Sequence, residues 1–393
     1  GRPRTRDTLR RALSPRTGTR ALWTALMVAL AWALPAPPAL AQADSALARE
    51  WPKTDFSKRT VPLEEIVSGG PPKDGIPPID RPRFVAPAEA RSWLRDDEPV
   101  IALRVGGDAR AYPLQILMFH EIVNDVVGGR PVAVTFCPLC NASIVFDRRV
   151  GAAVLDFGTT GRLRKSDLVM YDRQSESWWQ QFTGVGIVGR YAGTRLGTLP
   201  AEVVPFGAFR EAFPGGRILS RHTGFERPYG SNPYRGYDRV GQNPFLFTDP
   251  IDPRLPAMER VLAVSIDGAH RLYPFSAIET STVINDSVRG HSVVVLSQPG
   301  LRSPLDTERI ADGRAIPAAA AYDRKVDART LTFEAIGGTL RDRETGSVWN
   351  LFGMAVDGPL KGRKLEPLDG GVHFAFAWLA FRPDSEIYAP APR

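Results

Sequence analysis

The residues of this chain best suited to chemistry are two cysteines and one histidine. Cys137 and Cys140 are the only cysteines, and they stand three positions apart in the segment VAVTFCPLCNASIVFD. Two β-rich runs flank Gly128-Gly129, and a two-residue turn there pairs His120 with Cys137. Directly opposed side chains of antiparallel strands have Cβ atoms about 4.5–5.5 Å apart and share one face. The sequence therefore predicts a centre made of thiols and an imidazole.

The arrangement strand, Cys-Pro-Leu-Cys, strand is typical of a metal knuckle, in which two thiolates bind one ion. Two sulfurs and the imidazole of His120 suit copper(I) or zinc. Glu121, Asp80 and Met118 are further candidate ligands. A closed four-cysteine zinc site is excluded within one chain, because the sequence contains no second cysteine pair. We therefore predict a copper or zinc centre in a metal-handling or redox-accessory protein.

Two other functions of the same residues stay open. Cys137 or Cys140 could be a catalytic nucleophile, since a neighbouring imidazole such as His120 lowers a thiol pKa or accepts its proton. Alternatively, a disulfide between the two cysteines would mark a non-catalytic scaffold or binding module. A loop this short would gain little stability from such a bond. Whether the protein is an enzyme, and with which substrate or partner, is not decided by the sequence.

A charged, glycine-punctuated segment, GTTGRLRKSDLVMYDR, follows the cysteines. Its side chains could contact an anionic substrate, with Arg162, Arg164 and Asp167 as the candidates, although a solvated loop is the more common explanation of such a composition. Gly184, Gly186 and Gly189 match the spacing of a dinucleotide-binding loop. The residues after them do not form a helix pattern that could hold a pyrophosphate, so we predict no nucleotide cofactor.

The chain repeats itself, and the candidate site belongs to only one copy. The segment IALRVGGDARAYPLQILMFHEIVNDVVGGRPVAVTF, from Ile101, aligns without gaps on LAVSIDGAHRLYPFSAIETSTVINDSVRGHSVVVLS, from Leu262. Residues shared by two copies are candidates for scaffold, and residues present in one copy are candidates for chemistry. The second copy has residues of other types at the positions of the site: His120 aligns with Ser281, Glu121 with Thr282, Cys137 with Gln298 and Cys140 with Leu301.

The elements that position these residues are predicted to be antiparallel strands, because Val, Ile, Phe and Thr alternate with Gly, Asn and Asp punctuation. We expect a mainly β fold, an α+β chain with few short helices, in which two tandem repeats pack pseudo-symmetrically. The helix candidates are residues 88–94, 114–118, 206–213 and 374–381. The predicted organisation is a Pro-rich arm (44–98), a first repeat with the site (99–220), a Gly/Pro/Tyr-rich connector (221–260) and a degenerate second repeat (261–393).

The first 43 residues have the pattern of a signal peptide. Seven arginines and one aspartate lie between positions 2 and 20, and an apolar run from Ala21 to Leu34 precedes small residues at Ala39, Ala41 and Ala43. Most of the formal net charge of +7 lies in this leader, so nothing indicates a nucleic-acid surface. We expect a periplasmic or secreted protein without a stable membrane span after cleavage.

The segments from Ala109 to Arg148 and from Gly158 to Gly184, followed by the string NPYRGYD, resemble the exported prokaryotic family called domain of unknown function 3179. The similarity runs from about Gly75 to Tyr388, and the His-Glu and Cys-Pro-Leu-Cys strings are its most specific parts. This resemblance implies one domain family with a centre at His120, Cys137 and Cys140. It implies no substrate or reaction.

Overall fold

The computed structural model describes residues 46–390. The chain divides into two compact units, Gly1–Glu50 and Trp51–Arg393. In the first unit, the described residues 46–50 are helical, and the predicted signal peptide lies outside the described residues. Across the described part of the chain, none of the helices has the length and apolar character needed to cross a membrane.

The described part of the chain is mainly β, with 42% strand and 11% helix, as predicted. Its first half contains strands β1 to β16: Ile66–Ser68, Phe84–Val85, Pro99–Val105, Asp108–Pro113, Ile122–Val127, Arg130–Cys137, Ala142–Asp147, Arg149–Val150, Ala153–Val154, Phe157–Arg164, Asp167–Asp172, Trp178–Gln180, Val185–Val188, Thr198–Leu199, Ala201–Pro205 and Arg217–Leu219. The second half contains β17 to β29: Arg260–Ile266, Ala269–Pro274, Val283–Val288, His291–Arg302, Ala315–Asp323, Lys325–Val326, Arg329–Thr330, Phe333–Ile336, Thr339–Asp342, Val348–Trp349, Ala355–Asp357, Asp369–Phe374 and Glu386–Ile387.

The helices are short and lie at strand ends. The α-helices span Pro87–Ala90, Leu114–Leu117, Phe206–Ala212, Phe275–Ile278 and Ala375–Phe381, and two 3₁₀ turns span Leu63–Glu65 and Ile310–Asp312. The four predicted helices are confirmed, with ends shifted by a few residues. The helix Phe275–Ile278 was not predicted, although it aligns with Leu114–Leu117 in the first repeat.

Corresponding sheets occur in the two halves. The order β15-β3-β4-β16-β2 in the first half matches β28-β17-β18-β29 in the second, and β10-β11-β12-β13, extended by β1, matches β24-β25-β26-β27. The site lies on the third sheet, β14-β7-β6-β5, whose counterpart is β19-β20-β21. Among the paired strands of the described residues, only β4 with β16 and β18 with β29 run parallel. The antiparallel prediction is therefore confirmed, and the pseudo-symmetric packing of two repeats stays a prediction.

Matching hydrogen bonds accompany the matching sheets. The Trp179 indole donates to Asp172 at 2.9 Å, and the Trp349 indole donates to Asp342 at the same distance. The Tyr112 hydroxyl donates to the buried Asp125. In the second half, the Tyr273 hydroxyl donates to Asp286 in the same way. Asn124 bonds the backbone of Phe157, and Asn285 bonds that of Phe333. Arg148 donates to the Leu155 carbonyl, and Arg324 donates to the Leu331 carbonyl.

The hairpin register predicted from Gly128-Gly129 is confirmed. Val127 pairs with Arg130, and the ladder continues to Ile122 paired with Thr135. Gly128 and Gly129 have φ values of 54° and 77°, as a two-residue hairpin turn of this hand requires. A Cβ atom on Gly128 would also lie 2.3 Å from the Val105 carbonyl oxygen, so glycine is required there. The first strand of the site is thus set by local sequence.

Two irregular segments wrap around the sheets. The Pro-rich arm adds β1 to the edge of β10 and β2 to the edge of β16. The connector between Leu219 and Arg260 contains no helix or strand in the described chain, as its Gly, Pro and Tyr content predicts. Both segments reach the sheet that carries the cysteines. The boundaries drawn from the sequence for arm, repeats and connector stay predictions.

Candidate metal centre

The two cysteines lie on a tight turn at the end of a central strand. Cys137 is the last residue of β6, and it pairs with Ala142 at the start of β7. The Cys140 amide donates to the Cys137 carbonyl at 3.3 Å, and Asn141 takes a left-handed φ of 50° that turns the chain back into β7. Both cysteines are buried and in the free thiol form. The turn brings both sulfurs to one point.

A second hairpin tip faces this turn. Strands β10 and β11 are joined through Lys165 and Ser166, both at positive φ, and Asp167 begins β11. The Ser166 carbonyl lies 4.0 Å from the Cys137 sulfur and 3.6 Å from the Cys140 sulfur. One ligand atom each from Cys137, Cys140 and Asp167 lies within 4.8 Å of the others. We call these three residues the Cys/Cys/Asp cluster.

Asp167 is held in place by one of its two carboxylate oxygens. The side chain is fully buried, and its Oδ2 accepts hydrogen bonds from Gln180 Nε2 at 2.7 Å and from the Phe182 amide at 2.8 Å. Oδ1 is also buried and has no partner at hydrogen-bonding distance and angle. Burial raises the pKa of Asp167 to about 7, and the hydrogen bonds from Gln180 and the Phe182 amide oppose this rise only in part. The cluster therefore contains a buried oxygen with an unused lone pair.

Glu121 brings another acid close to the cluster. It is buried, it has a left-handed φ of 58°, and none of the described residues donates a hydrogen bond to its carboxyl group. Burial, together with the nearby charge of Asp167, raises its pKa to about 8. It lies outside the group of ligand atoms within 4.8 Å of one another. Glu121 can thus supply a further oxygen only if its side chain moves towards the sulfurs.

The cluster collects acidic groups, and none of the cations in the described part of the chain forms an ion pair with Asp167 or Glu121. Burial raises the pKa of the Cys137 thiol and raises that of Cys140 well above its ordinary value. The nearest cations on the facing hairpin are occupied elsewhere, since Arg164 pairs with Glu65 and Lys165 pairs with Asp249. Buried acids of this kind either stay protonated or surround a cation. A metal ion would remove the cost of ionising them.

His120 has other partners in this structure. Its Nδ1 lies 2.7 Å from the Pro77 carbonyl, which can only accept, so Nδ1 carries the proton and Nε2 accepts from the Tyr229 hydroxyl at 2.6 Å. Burial lowers its pKa to about 4. The ladder that would place His120 opposite Cys137 ends at Ile122, because the positive φ of Glu121 redirects the chain. His120 is not part of the Cys/Cys/Asp cluster.

The other predicted site residues are dispersed. Asp80 accepts a hydrogen bond from Asn124 and pairs with Arg173 at 2.8 Å. Met118 is buried in the core. Arg162 stacks on Trp178, with 5.4 Å between the guanidinium carbon and the ring centre. Of the three candidate substrate contacts, Asp167 alone reaches the cysteines, and it does so as a buried neighbour of the thiols.

The connector covers the cluster. The Tyr237 hydroxyl donates to the Leu139 carbonyl inside the cysteine turn at 3.0 Å, and it accepts from the Phe245 amide at 3.2 Å. Ser166 donates to the Phe245 carbonyl. Burial raises the pKa of Tyr234, and the charges of Glu121 and Cys137 raise it further. The connector, the cysteine turn and the second hairpin tip thus close around one buried site.

One family model covers most of the chain. A family model described as "Protein of unknown function (DUF3179)" matches residues 73–385. The chain belongs to this family, as its resemblance predicted. No curated protein and no solved structure matches the chain.

Sequence reasoning missed the position of Asp167. The only signal was its place in a hairpin tip that the second repeat lacks, and this signal indicated a surface loop as readily as a buried ligand. Oxygen ligands far from the cysteines in sequence reach them only through sheet packing. The pairing of His120 with Cys137, by contrast, rested on extending a ladder beyond its last residue.

Proposed function

We propose that this protein is an exported metal-binding protein whose first half holds one zinc or copper(I) ion between Cys137, Cys140 and Asp167. The observation that carries this proposal is the Oδ1 atom of Asp167, which is buried and has no hydrogen-bond partner. One ligand atom each from Asp167 and the two cysteines lies within 4.8 Å of the others. Such an oxygen is costly to bury unless it has a partner. A metal ion would supply that partner.

The ligand set favours zinc over copper(I). Zinc accepts thiolate and carboxylate ligands together, whereas copper(I) prefers soft sulfur ligands. Three protein ligands leave one position of a tetrahedral ion, and Glu121 is the nearest further acid. The same ion would join the cysteine turn to the second hairpin tip, so binding would also stabilise the fold. Export rests on the leader sequence alone.

The nucleophilic-thiol alternative has less support. A reactive cysteine needs a lowered pKa, and burial raises the pKa of both thiols here. The His120 ring nitrogens bond Pro77 and Tyr229, so no proton acceptor is provided by this histidine in the present arrangement. A cysteine-dependent reaction would require both the connector and His120 to rearrange.

The decisive experiment is metal analysis of reduced protein, with variants that separate binding from folding. Asp167→Asn is the most informative change, because an amide oxygen can keep the bonds from Gln180 and Phe182 while the second carboxylate oxygen is lost. Cys137→Ser and Cys140→Ser remove the sulfur ligands. Gln298→Ser, at the aligned position of the second half, is the control.

We expect about one equivalent of zinc per wild-type chain, bound more tightly than copper(I), and the same from the control. Each cysteine variant should lose most of its affinity, and Asp167→Asn should lose about tenfold or more. If reduced wild type binds neither metal more tightly than the double serine variant, the proposal is wrong. Thiol titration of the protein as isolated then separates a disulfide from a nucleophile, since only free thiols react with an alkylating agent.

A further inference from the structure

A cleft of about 440 Å³ opens between the two halves, apart from the Cys/Cys/Asp cluster. Strands β7 and β14 form one wall, and β17, β21, β28 and the helix Ala375–Phe381 form the other. The volume is in the range of small-molecule binding sites. Much of the lining is apolar, including Leu199, Leu262 and Trp378. The polar side chains in the cleft decide which ligand it suits.

Two arginines line this cleft without a counterion. Arg195 donates to the Thr183 carbonyl, and Arg382 donates to the Phe381 carbonyl. Within residues 46–390, neither guanidinium forms an ion pair with a carboxylate. The two charges are close enough that Arg195, together with the larger effect of burial, lowers the pKa of Arg382. Arg382 is half-buried and Arg195 is exposed, and an anion between them would relieve the repulsion of the two like charges.

Two further polar atoms in the cleft lack partners. His373 is 1% exposed, and its Nε2 lies 2.9 Å from the Gly370 carbonyl, so Nε2 carries the proton and Nδ1 is a bare acceptor. Nδ1 of His373 and the hydroxyl of Ser143 are buried without hydrogen-bond partners. Buried polar atoms in folded proteins are nearly always bonded to protein, water or ligand. These two atoms can orient a bound molecule.

The acids of the cleft do not neutralise the arginines. Glu202 is paired with Arg104 at 2.6 Å and also contacts the Tyr322 hydroxyl. Asp369 is exposed and lies at the cleft without an ion pair of its own. His270, whose Nδ1 bonds the Ser265 hydroxyl, adds no negative charge, since an imidazole is neutral or cationic. The site therefore has an excess of positive charge beside an apolar wall.

We propose that this cleft binds a small organic anion, with its carboxylate or phosphate group between Arg195 and Arg382 and its apolar body against Trp378. Arginine favours planar oxyanions because its guanidinium donates two parallel hydrogen bonds. The Ser143 hydroxyl can donate to the same anion, and His373 Nδ1 can accept from a hydroxyl group on the ligand. The inference does not depend on metal binding.

Calorimetric titration of full-length protein with benzoate, phenyl phosphate and neutral benzamide tests the site. Arg195→Gln and Arg382→Gln each remove one charge, and Arg329→Gln, an exposed arginine on β23 outside the cleft, is the matched control. We expect at least one of the two anions to bind and benzamide not to bind. Each cleft variant should weaken anion binding about tenfold or more, and the control should leave it unchanged.

The relative affinity of benzoate and phenyl phosphate identifies which oxyanion the site prefers. The proposal is overturned if neither anion binds at millimolar concentration, if benzamide binds as well as benzoate, or if Arg195→Gln binds as the wild type does. Arg195 is exposed, so its substitution does not depend on the tolerance of the core. Equal melting temperatures of the variants confirm that any loss of affinity is local.

Discussion

The two halves of this protein share a frame and differ at two hairpin tips. In the first half β6 ends at Cys137 and the chain turns within four residues into β7, whereas β20 runs on to Arg302 and pairs with β21 only through a longer connection. The hairpin from Phe157 to Asp172 carries Asp167 at its tip, and the corresponding hairpin from Phe333 to Asp342 is shorter. Both tips of the candidate metal centre are therefore absent from the second half.

This difference teaches that the frame does not require the centre. The Trp–Asp and Tyr–Asp bonds recur in both halves, with or without cysteines nearby. The sheets of the second half thus form, with the same bonds, where no cysteine is present. Residues that occur in only one repeat therefore indicate a candidate site only where the backbone of that repeat also differs from the backbone of the other.

The largest effect that tests whether the two halves share a frame is expected from replacing the matching buried aspartates. Asp172 accepts from the Ser175 amide and hydroxyl and from Trp179, and Asp342 makes the same bonds with Thr345 and Trp349. Asp172→Ala should lower the free energy of unfolding by about 3 kcal/mol, since three buried donors lose their partner, and Asp342→Ala by slightly less, since the Thr345 donors are only part-buried. Denaturant titration measures both. If only one of the two variants lost much of its free energy of unfolding, the two halves would not depend equally on these bonds.

A second comparison uses the matching asparagines. Asn124 is buried and bonds the amide and carbonyl of Phe157, whereas Asn285 bonds Phe333 in the same way but is exposed. Asn124→Ala should cost about 2 kcal/mol, and Asn285→Ala less than about 1 kcal/mol, because water can replace the lost bonds at the exposed site. Thermal unfolding of both variants checks this order. Equal costs would show that burial does not govern the difference.

A smaller effect is expected at the paired tyrosines. The hydroxyl of Tyr112 donates to Asp125, which is 7% exposed, and that of Tyr273 donates to Asp286, whose side chain is 18% exposed. Removing either hydroxyl with Phe should cost about 1 kcal/mol, with the larger loss at Tyr112. Chemical denaturation of Tyr112→Phe and Tyr273→Phe measures the difference. A larger loss at Tyr273 would reverse the assigned order of burial.

The smallest effect concerns pH and a carboxylate present in only one half. Burial alone would raise the pKa of Asp108, but hydrogen bonds from Arg110, the Gly128 amide and Arg217 lower it to about 2. The aligned residue of the second half is Ala269. Because the folded-state pKa lies below the unfolded value of about 3.9, this stabilisation is complete above about pH 5 and is lost as the pH falls towards 2.

The stability difference between wild type and Asp108→Asn should therefore shrink as the pH is lowered from 6 to 2, starting from less than about 1 kcal/mol for such partly exposed pairs. Urea titrations at several pH values measure it. Asp267→Asn, on a side chain that is 77% exposed, is the control and should change little at any pH. A difference that grows on acidification would contradict the lowered pKa.

Much of the fold was predictable because its signals are local. Alternating apolar residues set the strands, and glycines at positive φ set the hairpin register from Val127 to Ile122. The four predicted helices follow short apolar runs beside strand ends. The signal for the cysteine pair of the candidate site was equally local, since it consisted of the spacing between Cys137 and Cys140.

The ligand set of the candidate site was not predictable in the same way. Asp167 reaches the thiols because the β10–β11 hairpin tip packs against the cysteine turn, and no local pattern encodes that approach. His120 lies next to Glu121 in sequence, yet one residue at positive φ directs its ring to Pro77 and Tyr229. The sequence by itself determined strands, register and the sulfur pair, since these depend on neighbours along the chain. Only the tertiary structure decided which oxygen faces the sulfurs, because that choice depends on how separate sheets pack.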